Sequence, residues 1–240
     1  MRKTILVMVV LQALGAQAAQ NDATPAAAAP SEEVKVSGMR DPDFKPYRTM
    51  LLGLDAFDKH HGRAPAADLK FVLRPLAPGG DIKGVTLRIA GEESSVAVPV
   101  SPEGTFTLVR DPSIEKDAEL LTNRKKGSVR WRPLVRSPGV PEGSRRLGDL
   151  RLECAVRWAV EKEGMSFVQR NLFAALGACN NKRIFVYYHV DAPLESATLR
   201  EGGRTRDVAR PGATFFSPPL HDESWSDDAL VELRYQAAKT

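Results

Sequence analysis

LRLECAVRWAV, residues 150–160, is the stretch of this chain that weighs most on the predicted fold. Arg151, Glu153 and Arg157 separate apolar residues that fall at every second position. These apolar residues are Leu150, Leu152, Cys154, Val156, Trp158 and Val160. A period of two is typical of a β-strand with one face on a core. The stretch therefore predicts a strand, the clearest in the chain.

Shorter alternating runs lie on both sides of it and are separated by turns rich in Gly and Pro. They begin at Leu69, Val85, Val96, Thr105 and Val129, and again at Ile184 and Ala229. Short alternating strands at this density predict a mainly β chain folded as an antiparallel β-sandwich. The spacing of strands and turns resembles that of immunoglobulin-like and transthyretin-like sandwiches, which implies a fold of that kind.

Two segments have helical spacing instead. The first runs from Pro46 to His61, with an amphipathic stripe and a predicted stop at Gly62. Its apolar residues are Tyr47, Met50, Leu51, Leu54 and Phe57. The second is a short central helix around Met165 to Leu176, with Gly177 as its stop. Its apolar residues are Phe167, Val168, Leu172 and Leu176.

Short matches between the two halves suggest two related modules. The matched pairs are FV at 71–72 and 185–186, VTLR at 85–88 and ATLR at 197–200, TF at 105–106 and 214–215, and DA at 117–118 and 228–229. Their similar offsets are expected of a diverged duplication. The alternative is that unrelated hairpins share turn chemistry.

The N-terminal region predicts export. Residues 1–18 have a basic start, an apolar run and an Ala16-Gln17-Ala18 cleavage signal, as in a secretory signal peptide. Residues 19–33 predict a flexible Ala/Pro linker. Residues 34–163 are expected to hold the N-terminal helix and a first β-module, and residues 164–240 the short helix and a second. We therefore expect a periplasmic or secreted protein without a transmembrane segment.

Cys154 and Cys179 are the chain's two cysteines, the minimum for one disulfide in an oxidising compartment. A disulfide between them would close the short loop from residue 154 to residue 179, which is expected to stabilise the fold by about 3 kcal/mol. The alternative is two free thiols, one of them reactive.

His60 and His61, in GLDAFDKHHGRAP (53–65), are the first candidates for a metal site. Adjacent residues point about 100° apart on a helix, so the two are poorly placed to chelate one ion together. Their place in the last turn favours a capping role, with Asp58 as a surface partner of His61. A metal site would need a further ligand from His189 or His221.

The basic segment 121–160 holds ten Lys/Arg and three Asp/Glu. Arg130, Arg132 and Arg136 share one predicted strand face, which could bind anionic groups. The expected partners are an anionic envelope lipid or polysaccharide, or a protein. Nucleic acid is not expected outside the cytoplasm. The alternative is an ordinary solvated face.

The acidic segment 217–232 balances this charge with five Asp/Glu and no Lys/Arg. Its core, HDESWSDD (221–228), lacks the spacing of a calcium loop, so a polar hairpin loop is expected. Trp225 at its centre is a candidate for sugar stacking or for anchoring the loop on the core.

No catalytic motif is evident. Ser113-Ile114-Glu115-Lys116 matches S-x-x-K, but it lies between strands and lacks the other elements of acyl-transfer enzymes. No catalytic residue and no cofactor are predicted. The sequence favours an exported, non-catalytic β-sandwich protein that binds an envelope component through its basic face. The alternatives are a metal-dependent hydrolase or metal-binding protein, and a structural or chaperone-like envelope subunit.

Overall fold

A computed structural model describes residues 40–77 and 79–237, all within one compact unit. The signal-peptide and linker predictions lie outside these residues. The described chain is mainly β, with four antiparallel sheets and three α-helices. The helices are α1 (Tyr47–His60), α2 (Leu147–Glu161) and α3 (Phe167–Leu176).

Fourteen strands lie among the described residues. They are β1 (Pro42–Pro46), β2 (Asp68–Pro75), β3 (Leu87–Ala90), β4 (Ser95–Val98), β5 (Thr105–Phe106), β6 (Glu119–Lys125), β7 (Val129–Arg136), β8 (Ser144–Arg146), β9 (Tyr188–His189), β10 (Leu194–Glu201), β11 (Arg204–Asp207), β12 (Ala209–Gly212), β13 (Phe215–Ser217) and β14 (Leu230–Tyr235). The sheet orders are β1-β6-β3-β4, β5-β2-β7, β11-β10-β14-β8 and β12-β13-β9. Among the described residues, no helix is long and apolar enough to cross a membrane.

The strand predicted over residues 150–160 is wrong, because these residues belong to helix α2. The apolar side chains of α2 form two stripes with helical spacing, one on each side. The stripe that packs into a first core consists of Leu152, Val156 and Val160. The stripe that packs into a second core consists of Leu147, Leu150 and Cys154. Interleaved along the chain, the two stripes imitate the period of a strand.

Two acidic residues of α2, Asp149 and Glu153, are buried and paired. Glu153 lies 2.7 Å from Arg145 and accepts the backbone N–H of Val135 at 3.2 Å. Asp149 accepts the backbone N–H and the hydroxyl of Ser137, at 2.8 and 2.6 Å. Buried polar groups are tolerated when they are hydrogen-bonded in this way.

Helix α1 occupies the first segment with helical spacing and packs against α2 in the first core. The approach is close at Gly53, where an added Cβ would lie 2.9 Å from a Val160 methyl group. The end of α1 differs from the prediction. The chain tightens into a 3₁₀ turn over His61–Arg63, and Gly62 does not serve as a left-handed cap.

The order of elements repeats along the chain. The first repeat is β1, α1 and β2–β6; the second is β8, α2, β9–β11, β13 and β14. In each repeat the strand before the helix pairs with the last strand, as β1 does with β6 and β8 with β14. The hairpin β3–β4 of the first repeat corresponds to the hairpin β10–β11 of the second.

The pairing registers of the two repeats agree residue by residue. Ile89 faces Leu120 across β3 and β6, as Leu199 faces Val231 across β10 and β14. All four side chains are buried. Equivalent positions differ by 110 residues in the hairpin strand and by 111 in the last strand. The described residues therefore contain one arrangement of strands twice.

The same hydrogen bond starts the helix of each repeat. The N–H of Tyr47 donates to the carbonyl of Ala118, and the N–H of Leu147 donates to that of Ala229, both at 2.8 Å. Of the short sequence matches, only the one at 117–118 and 228–229 coincides with this register. The other three are displaced by one to three residues and therefore do not match equivalent positions of the two repeats.

Stacked aromatic rings occupy equivalent places in the two cores. Phe71 stacks on Phe106 with ring centroids 5.6 Å apart, and Tyr188 stacks on Phe216 at 5.5 Å. Each pair joins the strand after the helix to a later strand of the same repeat. The register thus extends over both sheets of each repeat.

The repeats differ beyond their common elements. β7 pairs along the whole of β2, whereas no described strand takes that place beside β9. The strand predicted from Ile184 to Tyr188 is correspondingly reduced to Tyr188–His189. The module boundary predicted between residues 163 and 164 stays a prediction, and the second repeat begins at β8.

Candidate functional site

The segment between α2 and β9 is longer than its counterpart in the first repeat. The offset between equivalent residues is 100 at Tyr47 and Leu147, and 117 at Phe71 and Tyr188. The second repeat therefore holds 17 additional residues between its helix and the following strand. We call residues 162–187 the insertion segment. The first repeat folds without these additional residues, so the common architecture does not require them.

Helix α3 forms within the insertion segment because its ends are locally satisfied. Ser166 and Gln169 form a capping box, in which each side chain bonds the other residue's backbone N–H. Gly177 ends the helix in the left-handed conformation, at φ +75°. Glycine adopts this conformation without steric cost. The helix and its stop were both predicted from the sequence.

Four large apolar side chains of α3 are exposed. Phe167 is 79% exposed and Val168 is 73% exposed, and Leu172 and Leu176 are also exposed. No residue of α3 is buried. The half-buried ring of Phe173 lies 6.1 Å from that of Trp158 on α2. An apolar stripe of this kind normally packs on a core, so its exposure here marks α3 as a candidate interaction site.

The chain that leads into β9 adds two more exposed aromatic rings. Phe185 and Tyr187 are exposed, whereas Tyr188 is buried and its hydroxyl donates to the carbonyl of Leu150 at 2.5 Å. Burial raises the pKa of Tyr188 well above its ordinary value, which keeps the hydroxyl protonated as a donor. The carbonyl of Tyr187 accepts a hydrogen bond from Arg157 on α2 at 3.1 Å.

These exposed residues define the candidate site, which we call the insertion surface. It consists of Phe167, Val168, Leu172, Leu176, Phe185 and Tyr187. Two adjacent residues near the end of α2 hold this surface in place. Trp158 contacts Phe173 of α3, and Arg157 bonds the carbonyl of Tyr187 in the chain that leads into β9. The surface contains no catalytic constellation, and its chemistry suits the binding of another apolar surface.

The predicted disulfide is present and fixes the insertion segment to the fold. Cys154 on α2 bonds Cys179, just after α3, with Cα atoms 6.0 Å apart. The alternative of a free reactive thiol is therefore wrong for this structure. The covalent bond joins the insertion segment to a helix shared by both cores.

Loss of the disulfide is expected to lower the free energy of unfolding by about 3 kcal/mol, because the unfolded chain regains the freedom of the closed loop. Denaturant unfolding with and without reductant measures this difference. Hydrogen exchange should show lost protection in the insertion segment and unchanged protection in β2 and β7. The Cys154→Ala/Cys179→Ala variant is the control, since reductant should not change it. Equal unfolding of the oxidised and reduced protein would contradict the expectation.

The three arginines of the predicted basic face alternate along β7, but two of them have partners within the chain. Arg132 forms an ion pair with Glu161 of α2. Arg136 donates to the carbonyl of Ser144 at 3.2 Å. No ion-pair partner of Arg130 lies among the described residues. Burial lowers the pKa of Arg132 and of Arg136, although both remain far above neutrality.

The four histidines lie in separate surroundings. His61 lies against the Phe57 ring, with centroids 4.6 Å apart, and His189 meets the edge of Phe215. Partial burial and then Lys59 lower the pKa of His60, which opposes the predicted charged cap. Among the described residues, no group of three or more His, Cys, Asp or Glu side chains is placed to hold a metal ion. The expected pairing of Asp58 with His61 is replaced by an ion pair with Arg110 at 2.8 Å.

Trp225 and the acidic loop around it have structural contacts. Trp225 is 4% exposed, and the Arg204 guanidinium lies 4.1 Å from its ring centroid. The ring anchors the loop and leaves little surface for stacking on a sugar. Carboxylates of the loop form ion pairs with Arg63, Arg146, Arg151 and Arg206. The chain's own arginines thus neutralise the acidic segment.

A crevice between α2 and β7 is lined by Met50, Trp131 and Glu161, among others, and has a volume of about 10 Å³. That volume has room for about one water molecule, so the crevice is no site for a larger ligand.

The insertion surface was missed as a site by sequence reasoning. Its helix was predicted, but the apolar residues of that helix served only to identify it and were not considered as a site. A correct alignment of the two repeats would have shown the 17 additional residues. Comparison of the chain with protein-family models, curated proteins and solved structures finds no match, so the geometry alone bears on function.

Proposed function

We propose that this chain is an exported, non-catalytic protein of the cell envelope, built from two related β-sandwich modules, that binds its partner through the insertion surface. The observation that carries the proposal is the outward apolar face of α3 in a segment that the first repeat lacks. Exposed apolar surface costs solubility, and extended patches of it mark interaction sites.

The other candidate surfaces are less available to a partner. Internal contacts engage Arg132, Arg136 and Trp225, and the acidic loop is bound to arginines. The insertion surface, by contrast, combines six exposed apolar side chains with a covalent anchor. The basic sheet face around Arg130 and a metal-dependent activity stay predictions.

The proposal predicts that α3 is covered in the cell and uncovered in the purified protein. The test is thiol labelling of the Leu172→Cys variant in cells that produce the protein natively, with Val109→Cys as a matched control. Val109 is 64% exposed and lies outside the insertion segment. Both purified variants should react freely with a maleimide.

In the producing cells, only Leu172→Cys should be protected, because a bound partner would shield α3. Equal labelling of this variant in cells and in purified form would overturn the proposal. Protection of the Val109→Cys variant to the same degree would also count against it.

A further inference from the structure

Resting on the proposed function, we propose that the partner of the insertion surface is an anionic lipid surface. In this arrangement α3 lies in the plane of the interfacial layer. Its apolar residues enter the boundary of the acyl chains, and the basic residues beside it contact anionic headgroups.

The geometry of α3 suits this occupant. Ten residues make a helix about 15 Å long, too short to span a bilayer but long enough to lie along one. Val168 and Leu172 are exposed and point about 140° and 100° away from Phe173, which contacts the protein. Helices that bind in the interfacial layer have Phe and Leu on one face and basic residues beside it.

Charge complementarity favours an anionic surface. The insertion segment contains four basic residues and one acidic residue, Lys162, Arg170, Lys182 and Arg183 against Glu163. The Asn181 side chain donates to the carbonyl of Leu176 at 2.7 Å, which places the next two residues, Lys182 and Arg183, at the C-terminal end of α3. Both are exposed.

The basic residue near the other end of α3 has an acidic partner within the insertion segment. Arg170 lies in the first turns of the helix, and Glu163 is 3.8 Å from it. The unpaired positive charge beside the exposed apolar residues therefore lies at the C-terminal end of α3, where Lys182 and Arg183 are exposed. Basic residues close to an anionic leaflet each contribute about 1 kcal/mol to binding, or about fivefold in affinity.

The exposed aromatic residues fit the same layer. Phe167, Phe185 and Tyr187 add rings to the aliphatic side chains of α3, and Tyr187 has a polar hydroxyl beyond its ring. Rings that are apolar at one end and polar at the other are favoured at the boundary between acyl chains and headgroups.

The test is cosedimentation of the purified, oxidised protein with two kinds of vesicle. One contains phosphatidylglycerol and phosphatidylethanolamine, and the other contains phosphatidylcholine alone. We expect binding to the anionic vesicles that weakens with salt, and much weaker binding to the neutral ones.

Two pairs of variants separate the apolar and basic contributions. Phe167→Ser/Leu172→Ser should weaken binding at least about tenfold, because the bilayer would no longer bury these two apolar side chains. The matched control Val96→Ser/Val109→Ser, also at exposed apolar positions, should bind as the parent does. Lys182→Gln/Arg183→Gln should lose about tenfold or more. The matched control is Lys125→Gln/Lys126→Gln, which changes two adjacent exposed lysines outside the insertion segment and should not weaken binding.

The outcomes distinguish this inference from the proposed function. No binding to anionic vesicles, or equal loss in the control variants, overturns the lipid inference. If vesicles do not bind but Leu172→Cys is protected in cells, the occupant is a protein and the proposed function stands. If neither binding nor protection is found, both fail. Unchanged circular dichroism and thermal unfolding of the variants show that the fold is retained.

Discussion

The Arg151→Met variant is expected to lose about 3–5 kcal/mol of unfolding free energy. The Arg151 side chain is 3% exposed and extends from α2 into the acidic loop. It donates to the carbonyls of Leu220, Asp222 and Trp225, and to the carboxylate of Asp227 at 2.6 Å. Methionine can fill part of the volume, but it leaves the carbonyls of Leu220 and Trp225 without a donor.

Arg206→Met is the matched control for that experiment. Arg206 pairs with Asp222 of the same loop at 2.9 Å, but its side chain is 48% exposed. An exposed ion pair contributes about 0–1 kcal/mol, so this variant should unfold almost as the parent does. Denaturant titration of the three proteins measures the difference. A loss below about 1 kcal/mol for Arg151→Met would contradict the buried-donor account.

The Leu152→Ala and Leu150→Ala variants are each expected to lose about 2–5 kcal/mol of unfolding free energy. Both side chains are fully buried, one in the first core and one in the second. Because α2 contributes to both cores, either cavity should destabilise the whole described unit. A single transition seen by fluorescence and by circular dichroism would report that cooperativity.

The Leu172→Ala variant makes the same chemical change on the exposed face of α3. Leu172 is 55% exposed, and alanine favours a helix at least as well as leucine does, so the expected change is within about 0.5 kcal/mol. If Leu172→Ala destabilised the protein as much as Leu152→Ala, the face of α3 would be buried. The insertion surface would then not exist as described.

Several strands were predicted correctly from alternation alone, because each has one side on a core and one side towards solvent. In β7, Val129, Trp131 and Val135 are buried and the intervening arginines are more exposed. β14 likewise follows the alternation predicted from Ala229, with Val231 and Leu233 buried and Glu232 between them more exposed. Where exposure alternates with a period of two, the sequence is sufficient to predict the strand.

The α2 prediction failed because exposure there does not follow a single face. A helix between two cores needs apolar residues on two opposite sides, and their combined spacing equals that of a strand. Its charged residues were taken for an exposed strand face, although Arg151 and Glu153 are buried with partners on other elements. Those partners are eight or more residues away in the chain, and no local pattern identifies them.

Some features of the candidate site could likewise be predicted from the sequence, and one could not. The capping box at Ser166, the stop at Gly177 and the Cys154–Cys179 pairing were local or compositional features and could be predicted. The direction of the apolar stripe of α3 could not, because it depends on whether another element covers the stripe.

The turns, the half-exposed strands, helices α1 and α3 and the disulfide could all be predicted from the amino-acid sequence. Each depends on residues close together in the chain, or on the only two cysteines present. Three features became visible in the folded chain alone: residues 147–161 are a helix shared by both cores, the acidic loop binds the chain's own arginines, and α3 has an exposed apolar face. The physical reason is that burial and charge pairing depend on which distant elements meet, and a periodic pattern shows only that a face is apolar.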